Sequence, residues 1–504
     1  MSDSSVNTLI LGAGPAGMAS AMELVRAGKS VTVVEKADQV GGLAKTLTYI
    51  EEDGAFRTDI GPHRFFSKNQ YLYEFIEDLL KEEWRQVRRL TRFCVDGKFY
   101  LYPIRIRNVL SQIGMVKAFR MIFDYAWEKI RGLVAPRPQR SFEDYVLSAF
   151  GRTLAEFNMI GYTEKIWGLR CSEISINWAT QRIKGLSVVS ALKKALFPKQ
   201  SGPKTLIDSF YYPSFGSGCI YEAIRERIEK AGNPVLLNTE PSAIHWEGKP
   251  ASAPAPSARL GTGSATAGRR VTDVDIRSST GTKTLTPGSV ISSVPPSVLV
   301  KLFNPAPPVE ILDAASKLKF RSQVYLFLII DKNSVMQDNW IYFPDKNIPF
   351  GRISEMKNFS TEMAPPGKSS LMIEFFCFEG DRIWNMDKNA LVNEAVPILE
   401  RFGFFTRSQV LNAHHFRIAH VYPLYDLHYE EHARTVMKWL DGFENFYAVG
   451  RPGRFRYTNQ DHSLEMGILA AQSILTGVRK DIETVGAEQE YFERGYHGAQ
   501  GQRG

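Results

Sequence analysis

Near the N-terminus the pattern of hydrophobic and polar positions changes from that of a strand to that of a helix and back to that of a strand. An apolar run at residues 8–11 ends at Gly12, and apolar residues then recur at helical spacing over residues 16–27. Gly28 is a typical helix stop, and residues 30–34 form a second run rich in β-branched side chains. The pattern predicts a strand, a turn, a helix and a second strand, which together form a βαβ unit.

The middle of the chain is typical of helices. Residues 70–135 and 141–200 show mostly helical spacing, with basic clusters at 85–92 and 193–204 that we interpret as solvated helix faces. These clusters lack interleaved aromatic residues, so they do not indicate a nucleic-acid partner. They leave a peripheral contact with an acidic membrane surface open.

Strand patterns dominate the remainder of the chain. Residues 234–247 and 271–278 flank the segment 249–270, whose Ala, Ser, Pro and Gly content predicts a flexible surface insertion within a hairpin. The later patterns are strands at 289–296, within 318–380 and at 446–450, then a helix at 463–475 and a loose polar tail at 479–504.

Composition narrows the class of protein. A chain of 504 residues allows about two to four domains, and a hydrophobic fraction of 44% excludes a disordered or collagen-like protein. The four cysteines are widely spaced, which favours reduced thiols and predicts no metal site. The net charge of +8 favours anionic partners. No apolar run is long enough to span a membrane and no signal-peptide pattern is present, so we expect a cytoplasmic protein.

Three glycines after the first predicted strand carry the strongest chemical signal. Gly12, Gly14 and Gly17 form a GxGxxG pattern at the opening of the predicted helix. The first glycine allows the tight turn, the second lets the backbone approach a pyrophosphate, and the third allows close packing of helix and strand. A pyrophosphate placed there would interact with the free N–H groups of the helix N-terminus. The pattern predicts a dinucleotide site.

An acidic residue at the end of the second strand selects among dinucleotides. Glu35 is placed to bind a ribose hydroxyl, and its charge disfavours the 2′-phosphate of NADP. FAD and NAD both remain on these grounds. Gly41 and Gly42, in EKADQVGGLAKT, continue the pattern in a way that resembles flavoproteins of the glutathione-reductase and amine-oxidase types. SVISSVPP at 289–296 resembles the late strand of their FAD domain, so FAD is the expected cofactor.

Six longer motifs are more specific than the glycine pattern. They are DIGPHRFFSKNQYLYEFI at 59–76, GYTEKIWG at 161–168, INWATQRI at 176–183, NWIYFPDKNIPFGRISEMKNFS at 339–360, VYPLYD at 421–426 and GRPGRFRYTNQDHS at 450–463. These motifs resemble segments of the UDP-galactopyranose mutases, in particular the eukaryotic type. Their order along the chain matches that family over almost the whole length.

The resemblance implies an α/β fold within the amine oxidase and protoporphyrinogen oxidase superfamily. We expect a Rossmann-like FAD-binding domain made of separate segments, a sheet-based substrate domain and a helical insert. The expected boundaries are 1–65, 211–305 and 426–478 for the FAD-binding segments, 66–210 for the helical insert, 306–425 for the substrate-domain sheet and 479–504 for the tail.

The resemblance also implies a reaction. In those mutases N5 of reduced FAD attacks the anomeric carbon of a nucleotide sugar, and the ring closes again as a furanose without net redox change. Such enzymes supply precursors for cell-surface polysaccharides. NAD(P)H is the expected electron donor and a nucleotide sugar the expected substrate, while the oligomeric state is left open.

Site residues follow from matching the motifs position by position. His63 and Arg182 are the expected catalytic residues, with His63 beside the flavin N5 and Arg182 on the substrate diphosphate. The expected cofactor-binding residues are Gly12, Gly14, Gly17, Glu35, Gly41, Gly42, Gly61, His63, Gly450, Arg451 and Met466. The expected substrate-binding residues are Tyr162, Trp167, Arg182, Arg105, Tyr422, Tyr457 and Asn459, with Trp167 stacking the nucleobase.

The sequence departs from that family at one charged position. A second diphosphate arginine is expected after the strand at 323–330, where this chain has Ile330 and Asp331, and Arg321 lies before the strand. Arg105 is a candidate to restore the missing charge, with a surface arginine as the alternative interpretation.

Two other functions therefore stay open. A flavin redox enzyme of the amine-oxidase, protoporphyrinogen-oxidase or desaturase kind would oxidise its substrate stoichiometrically, and the missing arginine supports it. A non-catalytic carrier of the same fold is the third alternative, although the intact glycine pattern and Glu35 argue for bound FAD.

Overall fold

A computed structural model of the protein describes residues 5–102, 106–183, 209–248 and 268–486. The chain divides into two compact units, each made of separate segments. The first unit comprises Met1–Lys45, Gly218–Lys319 and Tyr429–Gly486, and the second comprises Thr46–Ser217, Phe320–His428 and Ala487–Gly504. No helix within the described ranges is both long and apolar enough to cross a membrane.

The first unit is built on a twisted sheet that the N-terminal strand enters in parallel. Ser5–Leu11 lies between Val31–Val34 and the end of Gly281–Ser292, and all three run in the same direction. Phe446–Ala448 extends this parallel part. The other strands of the sheet, as far as it is described, are Val235–Leu236, Glu240–Glu247, Arg270–Ser278 and Phe303–Asn304.

Helices flank this sheet, and the first follows the predicted glycine turn. Their bounds are Pro15–Arg26, Gly218–Lys230, Pro296–Leu299, Val309–Lys317, Tyr429–Leu440, Gly450–Gly453 and Gln460–Thr476, with short 3₁₀ turns at Gly42–Ala44, Val300–Leu302 and Ile482–Thr484. The predicted insertion lies between Glu240–Glu247 and Arg270–Ser278, which pair antiparallel as the hairpin prediction requires. Residues 249–267 of that insertion lie outside the described residues.

The second unit is built on a seven-stranded sheet within the described ranges. Its strands in spatial order are Val410–Pro423, Phe320–Ile330, Ser369–Cys377, Arg352–Ser354, Trp340–Tyr342, Thr91–Val95 and Lys98–Leu101. Two-stranded ribbons add Thr46–Glu51 with Gly54–Asp59 and Trp84–Arg88 with Ser209–Pro213. The helices are Gln70–Leu80, Ile106–Ile113, Met115–Val134, Phe142–Phe150, Arg152–Ala155, Gly161–Trp167, Ile176–Ile183, Arg382–Asn385 and Lys388–Arg401, with a π-helical turn at Glu156–Ile160 and 3₁₀ turns at Lys81–Glu83, Met356–Asn358, Thr361–Met363 and Arg407–Gln409.

The central strand of this sheet is buried on both faces. Every residue of Phe320–Ile330 is buried, and its alternating side chains enter two separate cores. Val324 and Leu326 pack with the helix Lys388–Arg401 on one face. Tyr325 and Phe327 pack with the opposite core on the other. The period of two thus supplies both cores from one strand.

The prediction that residues 70–135 are mostly helical is wrong over residues 84–101. Three strands occupy that stretch, so the basic cluster at 85–92 lies on strands rather than on a helix face. Asp96 and Gly97 both have positive φ, at 52° and 73°, and form the two-residue turn between the last two strands. An Asp-Gly pair flanked by alternating apolar residues is a strong hairpin signal, and it outweighs helical spacing here.

Candidate functional site

In the first unit the predicted glycines form a cradle made of backbone, comprising Gly12, Gly14, Gly17, Gly41 and Gly42. Gly12 has φ of +103°, and a Cβ added there would lie 2.3 Å from the Ser293 hydroxyl oxygen. A Cβ added to Gly17 would lie 2.0 Å from the Gly12 carbonyl oxygen. Both positions therefore exclude any side chain.

The helix that starts in this cradle offers unshielded N–H groups. Gly14 is the N-cap of Pro15–Arg26, Pro15 occupies the first turn, and no side chain among the described residues caps this end. A Cβ added to Gly42 would lie 3.0 Å from the Gly14 Cα, so the second glycine pair packs directly against the first. A glycine-lined helix N-terminus of this kind suits a pyrophosphate.

Glu35 connects the two ends of the cradle. One carboxylate oxygen accepts the Ala13 N–H at 2.7 Å and the other accepts the Ala37 N–H at 2.9 Å. A carboxylate has further lone pairs after these two bonds, so a ribose hydroxyl can still donate to it. The structure therefore brings together Gly12, Gly14, Gly17, Glu35, Gly41 and Gly42, whereas Gly61 and His63 lie in the second unit.

The closing segment of the first unit packs on the same helix. Gly467 lies so close to Pro15–Arg26 that an added Cβ would be 2.0 Å from the Ala16 carbonyl oxygen, and a Cβ on Gly450 would be 3.1 Å from the Ala16 Cβ. Met466, from the same helix as Gly467, is fully buried. Gly450 and Met466 thus lie next to the helix of the cradle.

A compact loop holds the other predicted residues of the closing segment. Arg451 donates from Nε to the Thr458 carbonyl oxygen at 2.7 Å, and its guanidinium lies 4.9 Å from the centre of the Tyr457 ring. Asn459 occupies the N-cap of Gln460–Thr476, where its side chain makes no capping bond. Arg451, Tyr457 and Asn459 are therefore neighbours.

In the second unit a buried aspartate anchors the turn that contains Gly61 and His63. Asp59 accepts hydrogen bonds from the Thr46 hydroxyl at 2.6 Å and the Tyr212 hydroxyl at 2.8 Å. Burial raises the pKa of Asp59 to about 6, against the opposing effect of these donors. His63 Nε2 lies 3.0 Å from the Ile60 carbonyl oxygen, which can only accept, so Nε2 carries the proton.

Beside this turn lies a buried ion pair that the sequence analysis did not single out. Arg352 donates from Nε and Nη2 to the two oxygens of Glu374, each at 2.6 Å. Burial lowers the pKa of Arg352, but the Glu374 carboxylate more than compensates and raises the pKa well above its ordinary value. A Cβ on Gly61 would lie 3.2 Å from Arg352 Nη2, so the glycine of the predicted GPH segment lies against this pair.

Tyrosines surround the pair and complete what we call the aromatic–arginine cluster: Tyr162, Tyr342, Arg352, Glu374 and Tyr422. The rings of Tyr162 and Tyr342 meet edge to face with centres 5.1 Å apart. Burial raises the pKa of Tyr162 well above its ordinary value, against the effect of Arg352, so its hydroxyl stays protonated. Tyr162 and Tyr422, both predicted substrate-binding residues, thus lie around the Arg352 guanidinium, which the sequence analysis did not predict as a site residue.

Trp167, on the same helix as Tyr162, is fully buried. Its ring meets Trp178 edge to face at 4.7 Å and lies nearly parallel to Tyr425 at 6.2 Å. Both contacts occupy the indole surface that a nucleobase would need. Base stacking by Trp167 therefore stays a prediction that requires a rearrangement of these rings.

Two cations fix the position of the helix Gly161–Trp167. Arg321 donates from Nε to the Ile166 carbonyl oxygen at 2.8 Å and from Nη2 to the Phe376 carbonyl oxygen at 3.0 Å. Lys165 donates to carbonyl oxygens in the loop after Trp340–Tyr342, among them Phe343 at 2.6 Å and Ile348 at 2.9 Å. Burial lowers the pKa of Arg321 to about 10 and that of Lys165 to about 7. Arg321 is thereby engaged with backbone at the C-terminal end of this helix.

Two predicted arginines cannot be placed. Arg105 lies outside the described residues, and Arg182 lies in the helix Ile176–Ile183 with its side chain outside the described part. The cluster residues that the sequence analysis missed are Tyr342, Arg352 and Glu374. Each had a signal, since Tyr342 and Arg352 fall within the matched segment 339–360 and Glu374 interrupts the apolar run LMIEFFCF.

Comparison with known proteins places these sites in a family context. A family profile described as flavin containing amine oxidoreductase matches residues 15–475. A probable UDP-galactopyranose mutase of Klebsiella pneumoniae is 26% identical over 179 residues, which is 33% of this chain and 42% of that one. An L-amino-acid oxidase of Demansia vestigiata is 25% identical over 155 residues, 31% of this chain and 28% of the relative. The matched segments span less than half of each relative's length.

Solved structures extend the likeness to the whole chain. A crystal structure of reduced UDP-galactopyranose mutase has a TM-score of 0.79 at 21% identity and covers 97% of this chain and 99% of its own. A putative protoporphyrinogen oxidase from Exiguobacterium has a TM-score of 0.66 at 16% identity, covering 94% and 98%. At these identities the likeness shows the fold. The predicted fold class and the predicted cofactor, FAD, are confirmed.

Proposed function

The chain belongs to the flavin containing amine oxidoreductase family, and on this premise we propose that it is an FAD-dependent pyranose–furanose mutase of a nucleotide-linked sugar. The observation that carries the proposal is the aromatic–arginine cluster. It joins a buried guanidinium to tyrosine hydroxyls, a donor set that suits a diphosphate better than an amine.

The residues of the cradle fit FAD. Glycine backbone lines the N-terminus of Pro15–Arg26, no side chain among the described residues caps it, and Glu35 accepts the Ala13 N–H of the same turn. Reduced FAD supplies a nucleophile that leaves the substrate without net oxidation. NAD(P)H is the proposed donor of the electrons that reduce it.

Arg352 would orient the diphosphate. Its two N–H groups on Glu374 fix the plane of the guanidinium, and the donors that remain can reach an anionic ligand. Gln323 donates to the second Glu374 oxygen at 3.2 Å, so the carboxylate is itself held in place. Because Glu374 already balances the charge of Arg352, the cluster persists without a ligand.

Tyr162 would donate from its hydroxyl to the same ligand, since its raised pKa keeps it protonated at neutral pH. Arg182, Trp167, Tyr422, Tyr457 and Asn459 remain proposed substrate residues, and His63 remains the proposed residue at the flavin edge. Arg352 would supply the charge that the resemblance places near Asp331, and Arg105 remains the other candidate for it.

Net oxidation of a substrate is the second candidate function. The observation that favours it is the likeness to L-amino-acid oxidases and to a putative protoporphyrinogen oxidase. This alternative requires an electron acceptor and predicts that substrate reduces the flavin. It gives no role to the Arg352–Glu374 pair beyond structure.

Turnover under anaerobic conditions separates the two candidates. FAD-loaded protein is reduced with dithionite and incubated with UDP- and dTDP-hexopyranoses, and products are separated by anion exchange and weighed by mass spectrometry. The proposal predicts a new product of unchanged mass with reduced protein and none with oxidised protein. Absence of that product, together with reduction of oxidised flavin by a substrate, would instead establish the redox enzyme.

Variants link the activity to the cluster. Arg352→Lys keeps the charge beside Glu374 but loses the planar fork, so turnover is expected to fall about tenfold or more. Arg277→Lys is the matched control, because Arg277 forms an exposed pair with Glu240 on the first unit. Equal turnover in the two variants would remove Arg352 from the proposed site.

A further inference from the structure

The helix Met115–Val134 exposes a large apolar face. Six side chains spaced three or four residues apart are each between 57% and 86% exposed: Val116, Phe119, Phe123, Trp127, Ile130 and Val134. This spacing places them on one side of an α-helix. Contiguous apolar surface of this kind is rare on a soluble protein and marks an interaction surface.

The acidic residues of the same helix face the protein. Glu128 is buried and accepts hydrogen bonds from Arg137 at 3.0 and 2.7 Å. Asp124 accepts the Thr153 N–H at 3.1 Å. Both carboxylates are therefore neutralised or hydrogen-bonded by the protein, outside the apolar face.

Basic residues lie along one edge of the face. At 100° per residue, Arg120 and Arg131 follow this edge, and both are exposed. Arg131 Nη1 also lies 3.7 Å from the Glu128 carboxylate. Lys129 lies farther round the helix, where its Nζ donates to the Ser148 carbonyl oxygen at 3.1 Å. The outward half of the helix is thus apolar in the centre and cationic along one border, without an exposed carboxylate of its own.

We propose that this face docks on a bilayer surface that contains anionic lipids, with the helix lying in the plane of the interface. Aromatic and aliphatic side chains would enter the boundary between headgroups and acyl chains, while the basic border contacts anionic headgroups. At 20 residues the helix is about 30 Å long, and its charges exclude a spanning orientation.

Charge argues against a second copy of the chain as the occupant. Two such faces packed antiparallel would bring their cationic borders together, and the carboxylates of both helices are already engaged with their own protein. The surface differs from the basic clusters at which the sequence leaves a membrane contact open, since 85–92 lies on strands and 193–204 lies outside the described residues. The inference is independent of the proposed reaction.

Vesicle flotation of the full-length, FAD-loaded protein tests the proposal. Binding is expected to phosphatidylcholine vesicles that contain phosphatidylglycerol, weakly to phosphatidylcholine alone, and less at high salt. Phe119→Ser combined with Phe123→Ser is expected to weaken binding about a hundredfold, and Arg120→Gln about fivefold. Ile50→Ser and Val309→Ser are matched controls, because these exposed apolar residues lie outside the helix.

A fluorescence measurement does not depend on those variants. The difference in emission between wild type and Trp127→Phe is expected to move to shorter wavelength when phosphatidylglycerol vesicles are added. No vesicle binding by wild type, equal losses in the control variants, or an unshifted Trp127 signal would overturn the proposal. A dimer that Phe119→Ser with Phe123→Ser dissociates, without vesicle binding, would assign the face to contact between copies.

Discussion

The glycine cradle of the first unit and the aromatic–arginine cluster of the second are built from opposite parts of the chain, backbone in one and side chains in the other. The cradle consists of backbone, and at Gly17 an added methyl group would lie 2.0 Å from a carbonyl oxygen. The cluster consists of side chains, and its Arg352 and Glu374 are held by two bonds of 2.6 Å. The cradle therefore tolerates no side chain at Gly17, and the cluster does not tolerate the loss of either charge of its ion pair.

The two regions also differ in how far apart their parts lie along the chain. The cradle spans residues 12–42, so the glycine turn and the helix and strand that follow it assemble the cradle. The cluster joins Tyr162 to Tyr422 and depends on the register that places Arg352 opposite Glu374 in neighbouring strands. Unfolding the sheet destroys the cluster, whereas the cradle depends mainly on its local βαβ unit.

The largest effect is expected from Glu374→Gln. This change keeps the shape of the side chain but leaves Arg352 buried without its carboxylate, so the free energy of unfolding should fall by about 3–5 kcal/mol. Urea unfolding measures it. Asp313→Asn removes an exposed pair with Lys317 and should cost less than about 0.5 kcal/mol. Similar small losses in both variants would contradict a buried, coupled cluster.

The pH dependence of stability tests the anchor of the Gly61 turn. The pKa of Asp59 is raised from 3.8 to about 6, so folding favours the protonated acid. Its contribution is complete below pH 3.8 and is lost as pH rises through about 6, a change of about 3 kcal/mol. Asp59→Asn should lack this component. Parallel stability–pH curves for wild type and variant would rule the burial effect out.

Enlarging the cradle is expected to have a somewhat smaller effect on stability. Gly17→Ala forces the backbone of helix and turn apart, which should cost about 1–3 kcal/mol and weaken FAD retention. The matched control is Gly132→Ala, because no described residue beyond the adjoining part of its own helix lies within 4 Å of the added methyl group and alanine favours a helix. Thermal unfolding and the flavin-to-protein absorbance ratio measure both effects. Normal FAD content in Gly17→Ala would refute the steric account.

The smallest effect is expected from Glu35→Gln. The amide keeps one acceptor, so one of the bonds to the Ala13 and Ala37 N–H groups is lost, at about 1 kcal/mol. The dissociation constant for FAD should rise about fivefold to tenfold, as measured by titration of the apoprotein. Glu23→Gln, at a partly buried position on the following helix that pairs with Arg26, is the control. An unchanged affinity would mean that Glu35 serves only the turn.

The same contrast explains which features the sequence could predict. Gly12, Gly14 and Glu35 lie within one βαβ unit, where spacing alone determines neighbours. The pairing of Arg352 with Glu374 depends on sheet register across 22 residues, and a sequence without an alignment does not contain that information in readable form. The resemblance points to the end of the strand at 323–330 for a second arginine, whereas the buried arginine of the cluster lies on the strand Arg352–Ser354.

A local signal was also outweighed in one place. The Asp96–Gly97 turn lies in a stretch whose spacing favours a helix, because basic residues alternate there with apolar ones in a way that suits either structure. The apolar face of Met115–Val134 is a different case, since periodicity shows that a helix has an apolar face but not what covers it.

Equilibrium binding of UDP to FAD-loaded protein tests the central claim most directly, with uridine as the ligand that lacks the diphosphate. The account predicts that wild type binds UDP much more tightly than uridine. In Arg352→Lys, UDP affinity should fall about tenfold while uridine affinity stays the same. An equal UDP affinity in wild type and Arg352→Lys would contradict the assignment of the cluster to diphosphate recognition.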